Sequence, residues 1–181
     1  DGIKSETSLT INGGTITVVK SYEGLEAPRV TMNNGTASIT ASDDAVNTTY
    51  GNGGEAVDGS LLVFAGGTIA LNSSRGDAID ANGNIQMTGG VLIAQGPTVY
   101  PEVAIDCNGS FDISGGVLIA SGPNAGPMIE ATSASSAQHT DLIKISSNVS
   151  PGNLFNIQDS EGKSLVTYAP TRNAYYFVFS S

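Results

Sequence analysis

The sequence predicts an all-β fold, a right-handed parallel β-helix with a C-terminal β-strand cap, on the basis of three observations. A Gly-Gly or Asn-Gly pair recurs along the chain, each time between two short alternating segments. The residues at fixed offsets from the second glycine of each pair are apolar in every repeat. The segments between turns are too short to contain the crossover helices that ordinary parallel sheets need. Coils that stack like residues on like residues account for all three observations.

The turn glycines define the repeat and its buried positions. The second glycine of each pair is Gly14, Gly35, Gly67, Gly90 or Gly116, and apolar residues lie five and three positions before it and two and four positions after it. Columns that differ by two positions are typical of strands with one buried face. In order of offset, the predicted columns are Leu9, Val30, Leu62, Ile85 and Phe111; Ile11, Met32, Phe64, Met87 and Ile113; Ile16, Ala37, Ile69, Leu92 and Leu118; and Val18, Ile39, Leu71, Ala94 and Ala120.

The repeats follow one another along the chain with one irregularity. The first two coils take residues 1–21 and 22–42. The third coil is longer, because a glycine-rich stretch at 48–54 joins two acidic corners at 44–47 and 55–58. Two alternatives remain open for this insertion, an extra partial coil or a surface loop. Gly-Pro segments end the fourth and fifth coils and predict wide loops there.

The character of the sequence changes near residue 141. Residues 1–141 are predicted to form the repeat coils, and residues 142–181 a terminal coil and β cap of the same single domain. Most of the aromatic residues lie in this tail. A solenoid needs a cap on its open end, and the tail is predicted to provide it. The predicted tail strands are 142–145, 154–157, 165–168 and 175–179.

The composition and net charge of the chain indicate which classes of binding partner are favourable. The chain of 181 residues carries a net charge of −10, so nucleic acid and anionic membrane surfaces are poor partners and cations are better ones. No apolar run approaches the length of a transmembrane helix. The single cysteine, Cys107, aligns with Ala81 of the preceding coil and is expected to be a small core residue. The chain begins inside a repeat and without an initiator Met, which we interpret as a mature or trimmed fragment.

Acidic residues recur at two positions of each corner, two residues before its aliphatic residue and one residue after it. Lys4 and Asn47 interrupt the second of these rows. Stacked coils lie about 4.8 Å apart, so each row becomes a ladder of like charges that is destabilising unless something relieves it. The acids of the two rows are Asp1, Glu23, Asp44, Glu55 and Asp77, and Glu26, Asp58, Asp80, Asp106 and Glu130.

Two interpretations of these acids remain open. A Ca²⁺ ion takes about six to eight oxygen ligands from carboxylates, carbonyls and water, and would relieve the repulsion. Alternatively, Asp and Glu at turns often bond nearby backbone N–H groups without a metal. We predict bound Ca²⁺, first at the two densest clusters, Asp43–Asp44 with Asn47 and Asp77 with Asp80. The full set of candidate ligands is Asp43, Asp44, Asn47, Asp77, Asp80, Glu23, Glu26 and Asp58.

The candidate sugar-binding residues are aromatic or basic. Tyr22, Tyr50 and Tyr100 are predicted in loops or corners, where each either stacks on a sugar ring or covers a coil end. Arg29 and Arg75 are the arginines nearest the acidic corners. The sequence offers no catalytic constellation, since its only histidine lies in a Ser-rich stretch and no phosphate loop, zinc spacing or dinucleotide fingerprint occurs.

Several of these motifs together resemble a known family. They are Gly-Asp-Ala-Ile-Asp-Ala-Asn-Gly at 76–83, Asp-Asp-Ala-Val-Asn at 43–47, the recurring Gly-Gly turns, and the tail from Tyr-Ala-Pro at 168–170 to Phe-Ser-Ser at 179–181. In this order they resemble the bacterial carbohydrate-binding parallel β-helix proteins that are related in fold to polysaccharide lyases. The resemblance implies a secreted or cell-surface protein with bound calcium that binds cellulose or acidic sugars such as polygalacturonate.

The chain departs from the pattern of that family at some corners. The family commonly has Asp-Gly-Ile-Asp there, whereas this chain has Lys4 and Asn47 at the last position and Val103 at the first. Calcium is therefore less expected at those coils. The absence of Trp favours soluble or acidic chains over the flat surface of crystalline cellulose.

The sequence leads to one expected function and two alternatives. We expect a non-catalytic, calcium-containing protein that binds a plant-type or acidic polysaccharide. The first alternative is a lyase of the pectate type, which needs a base within reach of the proton it removes. Only Lys4, Arg29 and Arg75 lie near the acidic corners as candidates for that base. The second alternative is a structural adhesin segment without a small ligand.

Overall fold

A computed structural model describes residues 1–54 and 56–181, so Glu55 of the first predicted acidic row lies outside the described residues. The described chain is all-β, and its only helix is a 3₁₀ turn at Gly126–Met128. That part of the chain contains no helix with the length and apolar character needed to cross a membrane. In chain order the strands are β1 (Ile3–Lys4), β2 (Leu9–Ile11), β3 (Thr15–Ser21), β4 (Leu25–Glu26), β5 (Arg29–Met32), β6 (Thr36–Ala41), β7 (Val46–Thr48), β8 (Leu61–Phe64), β9 (Thr68–Ser73), β10 (Ile79–Ala81), β11 (Asn84–Met87), β12 (Val91–Gln95), β13 (Ile105–Cys107), β14 (Phe111–Ile113), β15 (Val117–Gly122), β16 (Thr140–Val149), β17 (Phe155–Gln158), β18 (Ser164–Tyr168) and β19 (Ala174–Ser180).

Strands β1 to β15 form three parallel sheets. The first sheet contains β1, β4, β7, β10 and β13, and the second contains β2, β5, β8, β11 and β14. The third contains β3, β6, β9, β12 and β15 and continues into two strands of the tail. Each strand thus pairs with the strand three positions later in chain order, so every repeat adds one strand to each sheet. The predicted all-β class with parallel sheets is confirmed.

The pairing register confirms the four predicted apolar columns. Ile85 pairs with Leu62 in the second sheet, Leu92 pairs with Ile69 in the third, and the remaining members follow the same register. From the second repeat onward the column members are buried in one continuous core. Ile16 of the first repeat is only half-buried, because β3 has a neighbouring strand on one side alone. Removal of this apolar surface from water is the main favourable term for folding.

A left-handed backbone conformation explains the recurring turn glycines. All five anchor glycines have positive φ, and φ is 83° at Gly90. A Cβ at Gly90 would lie 2.7 Å from the carbonyl oxygen of Gly67, which occupies the equivalent turn of the preceding repeat. This φ is unfavourable for residues other than glycine, and the stacked turns leave no space for a side chain. Glycine therefore recurs in the sequence because the stacked turns have no space for any other residue.

The insertion in the third repeat is a surface loop. No strand is found between β7 and β8 in its described residues, 49–54 and 56–60. Val57, predicted as the aliphatic residue of a second corner, is 60% exposed, whereas Val46 of the first corner is fully buried. The alternative of an extra partial coil is therefore wrong.

The tail folds back over the third sheet. β19 pairs antiparallel with β15, and β16 pairs antiparallel with β19, so the edge of β15 is covered. β17 and β18 form an antiparallel hairpin, and the tail strands predicted from the sequence are all present. The rings of Phe155 and Phe177 stack with their centroids 3.7 Å apart. With Tyr168 they pack on Ile93 and Ile119, which face outward from β12 and β15.

Cys107 occupies the predicted core position. It pairs with Ala81 and is buried, and its thiol lies 3.4 Å from the carbonyl oxygen of Gly83. Burial raises the pKa of the thiol to about 11. The thiol therefore stays protonated near neutral pH, as expected of a core residue.

Candidate functional site

One row of polar residues lies on the outer face of the first sheet, and we call it the sheet row. Asp80 pairs with Asn47 on one side and with Asp106 on the other. Glu26 pairs with Lys4 and with Asn47. All five alternate with buried or half-buried residues, most of them apolar, and therefore face outward. The sheet row thus agrees with the predicted second row from Lys4 to Asp106, except at Asp58, and Glu130 lies beyond the last strand of the sheet.

The other row lies at the corner between the third and first sheets, and we call it the corner row. Its acids in the described residues are Asp1, Glu23, Asp44 and Asp77, with Val103 at the last position. The Asp44 carboxylate accepts a hydrogen bond of 2.7 Å from the N–H of Asp77. The Asp77 carboxylate in turn accepts one from the N–H of Val103. Asp44 and Asp77 therefore each accept a hydrogen bond from the backbone of the next repeat, as the metal-free interpretation of the corners expects.

Burial dominates the electrostatics of the corner row. Asp44 is 9% exposed and Asp77 is 3% exposed. Burial, and then the charge of Glu23, raises the pKa of Asp44 to about 8. Burial also raises the pKa of Asp77 to about 9, against the lowering effect of the hydrogen bond from Val103. At neutral pH these two carboxyl groups keep their protons unless a cation takes the place of the protons.

Glu23 and Asn47 contribute two buried oxygen atoms that lack partners. Within the described part of the chain, Glu23 Oε2 and Asn47 Oδ1 accept no hydrogen bond, although the Asn47 side chain is hydrogen-bonded to Glu23. Burial, followed by the charges of Asp43 and Glu26, raises the pKa of Glu23 to about 7. Buried acceptors without donors cost free energy, so this point of the two rows suits a cation or a donor from a ligand.

The residues present fit a calcium ion only in part. In residues 1–54 and 56–181, no group of three or more His, Cys, Asp or Glu side chains is placed so that it could hold a metal ion. An ion near Glu23 would therefore need the Asn47 amide, main-chain carbonyls and water besides carboxylates. Such mixed oxygen sets are usual for Ca²⁺. The two buried oxygens without partners, beside Asp44 and Asp80, make this the best candidate position.

The two ends of the rows differ in what the chain itself supplies to the acids there. Lys4 Nζ lies 2.8 Å from a carboxylate oxygen of Glu26 and 3.8 Å from one of Asp1, and the hydrogen bond to Glu26 raises the pKa of Lys4. At the other end, the Glu130 carboxylate accepts a 3.0 Å hydrogen bond from the N–H of Cys107. Burial and the charge of Asp106 raise the pKa of Glu130 to about 7. The chain thus supplies its own counter-charge at Glu26.

Asp58 belongs to the surface loop and not to a row. Its carboxylate accepts hydrogen bonds from the N–H groups of Tyr50 and Ser60, at 2.6 and 2.8 Å, and lies 3.2 Å from the Thr49 hydroxyl. Slight burial acts to raise the pKa of Asp58, but these hydrogen bonds outweigh it and lower the pKa. Asn47 occupies the sheet-row position of the third repeat, so the placement of Asp58 there is corrected.

The five predicted ligand-binding residues are divided between two corners. Tyr22, Arg75 and Tyr100 lie between strands of the third and first sheets, next to the corner row. Tyr50 lies between strands of the first and second sheets, and Arg29, the first residue of β5, lies where the chain enters the second sheet from the same corner. All five side chains are exposed. A hydrogen bond with Asp43 raises the pKa of the Tyr22 hydroxyl, which joins an exposed aromatic ring to a candidate metal ligand.

A second group of residues, on the third sheet, was not predicted from the sequence. Gln95 Oε1 accepts hydrogen bonds from the Tyr168 hydroxyl at 3.2 Å and from the backbone N–H of Thr171 at 2.9 Å. These contacts hold the tail against β12 and form one wall of a cleft. The apolar columns contain inward-facing strand positions, whereas Gln95 faces outward and is covered by the tail alone.

Comparison with known proteins supports carbohydrate binding. The model of a family described as carbohydrate-binding domain-containing protein matches residues 1–45. The matched segment contains β1 to β6 and the corner that leads into β7. No curated protein and no solved structure matches the chain significantly.

Proposed function

We propose that the protein is a non-catalytic, calcium-containing carbohydrate-binding protein with a parallel β-helix architecture, secreted or at the cell surface, whose ligand is a plant-type or acidic polysaccharide. The family match to residues 1–45 carries this proposal. That segment contains Tyr22, Glu23, Asp43 and Asp44, so the matched sequence includes much of the corner row. The passage of the chain through three parallel sheets in turn supports the architecture.

Calcium has a defined place in this proposal. Glu23 and Asn47 are the residues that would hold it, together with main-chain carbonyls and water, because each has a buried oxygen without a donor. The charges of nearby Asp44 and Asp80 would add to the attraction for a cation. A bound Ca²⁺ would supply positive charge that can attract the carboxylate of a uronic acid. The exposed guanidinium of Arg75 lies at the same corner and suits the same ligand. Exposed Tyr22 can stack on a neighbouring sugar ring.

Binding without chemistry is favoured by the state of the basic side chains. A lyase needs a base within reach of its substrate, tuned to work near the ambient pH. Lys4 is paired with Glu26, and its pKa is raised and not lowered. Arg172 is half-buried, and its guanidinium bonds the carbonyl oxygens of Ser73 and Gly96. Of the basic residues near the acidic corners, Arg29 and Arg75 remain, and a guanidinium group is a poor general base because it holds its proton.

The test is binding to polygalacturonate, with and without calcium. We expect binding in CaCl₂, loss of binding in EDTA, and no absorbance from unsaturated uronides. Tyr22→Ala and Arg75→Ala should each weaken binding by about tenfold, equivalent to about 1.4 kcal/mol. Tyr50→Ala and Arg29→Ala are matched controls, since they remove the same residue types from the other corner.

Four other outcomes would contradict the proposal in part or as a whole. Absorbance from an unsaturated product would show that the protein is a lyase. Loss of binding in Tyr50→Ala and Arg29→Ala, with Tyr22→Ala and Arg75→Ala unaffected, would move the site to the other corner. Equal binding in EDTA and in CaCl₂ would exclude calcium from recognition. Failure to bind any polysaccharide would contradict the proposal as a whole.

A further inference from the structure

A cleft of about 370 Å³ lies on the outer face of the third sheet. Ser38, Ala70 and Ile93 form part of its floor and are neighbours in one outward column across β6, β9 and β12. Tyr168 and Thr171 of the tail form its wall. The volume is at the lower end of the range for ligand pockets, roughly 300–1,000 Å³, and suits a small ligand or one unit of a chain.

The wall of the cleft is fixed in place before any ligand binds. Gln95 accepts hydrogen bonds from the hydroxyl of Tyr168 and from both the N–H and the hydroxyl of Thr171, the last at 2.8 Å. Arg172, next in the chain, donates to the carbonyl oxygens of Ser73 and Gly96. A preformed wall avoids the loss of conformational entropy that ordering a loop on binding would cause.

The chemistry of the lining selects an uncharged, hydroxyl-bearing ligand. The described residues that line the cleft carry no charged side chain. Asn72 Oδ1 is buried and accepts no hydrogen bond within the described chain, while its Nδ2 lies 3.5 Å from the Thr171 hydroxyl. This unsatisfied acceptor costs free energy, and a rotation of the exposed part of the Asn72 side chain would bring its amide to a ligand hydroxyl. Thr40 adds a further polar group, and Ile93 offers an apolar surface beside them.

We propose that this cleft is a binding subsite for a neutral sugar residue, separate from the corner row. A neutral sugar combines hydroxyl groups, which match Asn72 and Thr40, with apolar C–H faces, which match Ile93 and Ala70. The assignment rests on the proposed carbohydrate-binding function and names a second site for it. It implies that the protein contacts both neutral and acidic units, through different surfaces.

The test uses the full chain labelled with ¹⁵N and three neutral probes, cellotetraose, xylotetraose and mannotetraose. We expect at least one probe to shift the side-chain amide signals of Asn72 and Gln95. Ala70→Leu fills the floor and Asn72→Ala removes the free acceptor, so each should weaken that probe about tenfold or more. Thr68→Leu is the matched control, because Thr68 faces outward from the same strand but does not line the cleft. Melting curves verify that the variants are folded.

The outcomes separate this inference from the proposed function. Calcium-dependent binding of polygalacturonate with no response to any neutral probe would overturn the neutral subsite and leave the proposed function standing. Failure of both neutral and acidic probes would overturn both. A neutral probe that binds equally to wild type, Ala70→Leu and Asn72→Ala would show that the neutral site lies elsewhere.

Discussion

Replacement of Asp77 by Asn tests whether the corner row holds protons when calcium is absent. The Asp77 carboxyl is buried, bonds the N–H of Val103 and lies beside Asp44, and burial raises its pKa to about 9. Asn has nearly the same shape and keeps an acceptor oxygen for Val103. The Asp77→Asn variant therefore removes the ionisation of this position while it retains the hydrogen bond.

The sign of the effect follows from counting protons. An unfolded Asp has a pKa of about 3.9, so between about pH 4 and pH 9 the native Asp77 carboxyl holds a proton that the unfolded chain has lost. The free energy of unfolding therefore falls as pH rises through this window, by about 1.4 kcal/mol per pH unit for each such carboxyl. For a chain of this size 1 kcal/mol corresponds to roughly 2–4 °C, so Asp77 alone lowers the melting temperature by roughly 3–6 °C per pH unit.

The assay is thermal unfolding in EDTA at several pH values between 5 and 8. The melting temperature of the wild type should fall steeply over this range, and that of Asp77→Asn should fall less steeply. Glu161→Gln is the control, since it removes the same formal charge from an exposed turn of the tail. In CaCl₂ the wild-type profile should flatten, because calcium competes with the protons. Parallel profiles for wild type and Asp77→Asn in EDTA would refute the reasoning.

Two further predictions concern the metal and the stacked turns. CaCl₂ at a hundredfold excess over its dissociation constant should stabilise the native state by about 2.7 kcal/mol and raise the melting temperature by roughly 5–11 °C over EDTA; identical melting curves would contradict a structural role for calcium. Gly90→Ala should destabilise the fold more than Gly152→Ala, as measured by urea unfolding. Both glycines have positive φ, but a Cβ at Gly152 meets open space, whereas one at Gly90 meets the Gly67 carbonyl. Equal losses would mean that φ strain, not row stacking, selects the glycine.

The columns were predictable because the information that specifies them is local and repeated. Every repeat places its turn glycine and its apolar residues at the same offsets, so one misleading residue cannot shift the register. In the third repeat the pattern alone does not identify the corner. Its sequence contains two corners with the same spacing of aliphatic residue and polar or acidic residue, and the pattern cannot choose between Val46 and Val57. Packing chooses: Val46 stacks on Leu25 and is buried, whereas Val57 remains in solvent.

The acidic rows were predictable as positions but not as chemical states. Asp80 and Asp44 both belong to the predicted rows, but Asp80 faces outward from the sheet and Asp44 is buried at the corner. The raised pKa of Asp44 depends first on that burial, which spacing alone does not report. Likewise, the sequence does not show that Lys4 neutralises Glu26 while Glu23, in the same coil as Glu26, keeps an oxygen without a donor.

The cleft depends on contacts of Gln95 with Tyr168 and Thr171, which follow it in the chain by 73 and 76 positions. No repeat in the sequence could therefore indicate the cleft. A signal does exist in the residues that face outward from the third sheet. The column that begins at Thr17 continues through Ser38 and Ala70 and then changes to Ile93 and Ile119. The large apolar members are those under the tail, and the small members are those beyond its edge. The change in side-chain size along the column therefore marks the part of the sheet that the tail covers and the part beside it where the cleft lies.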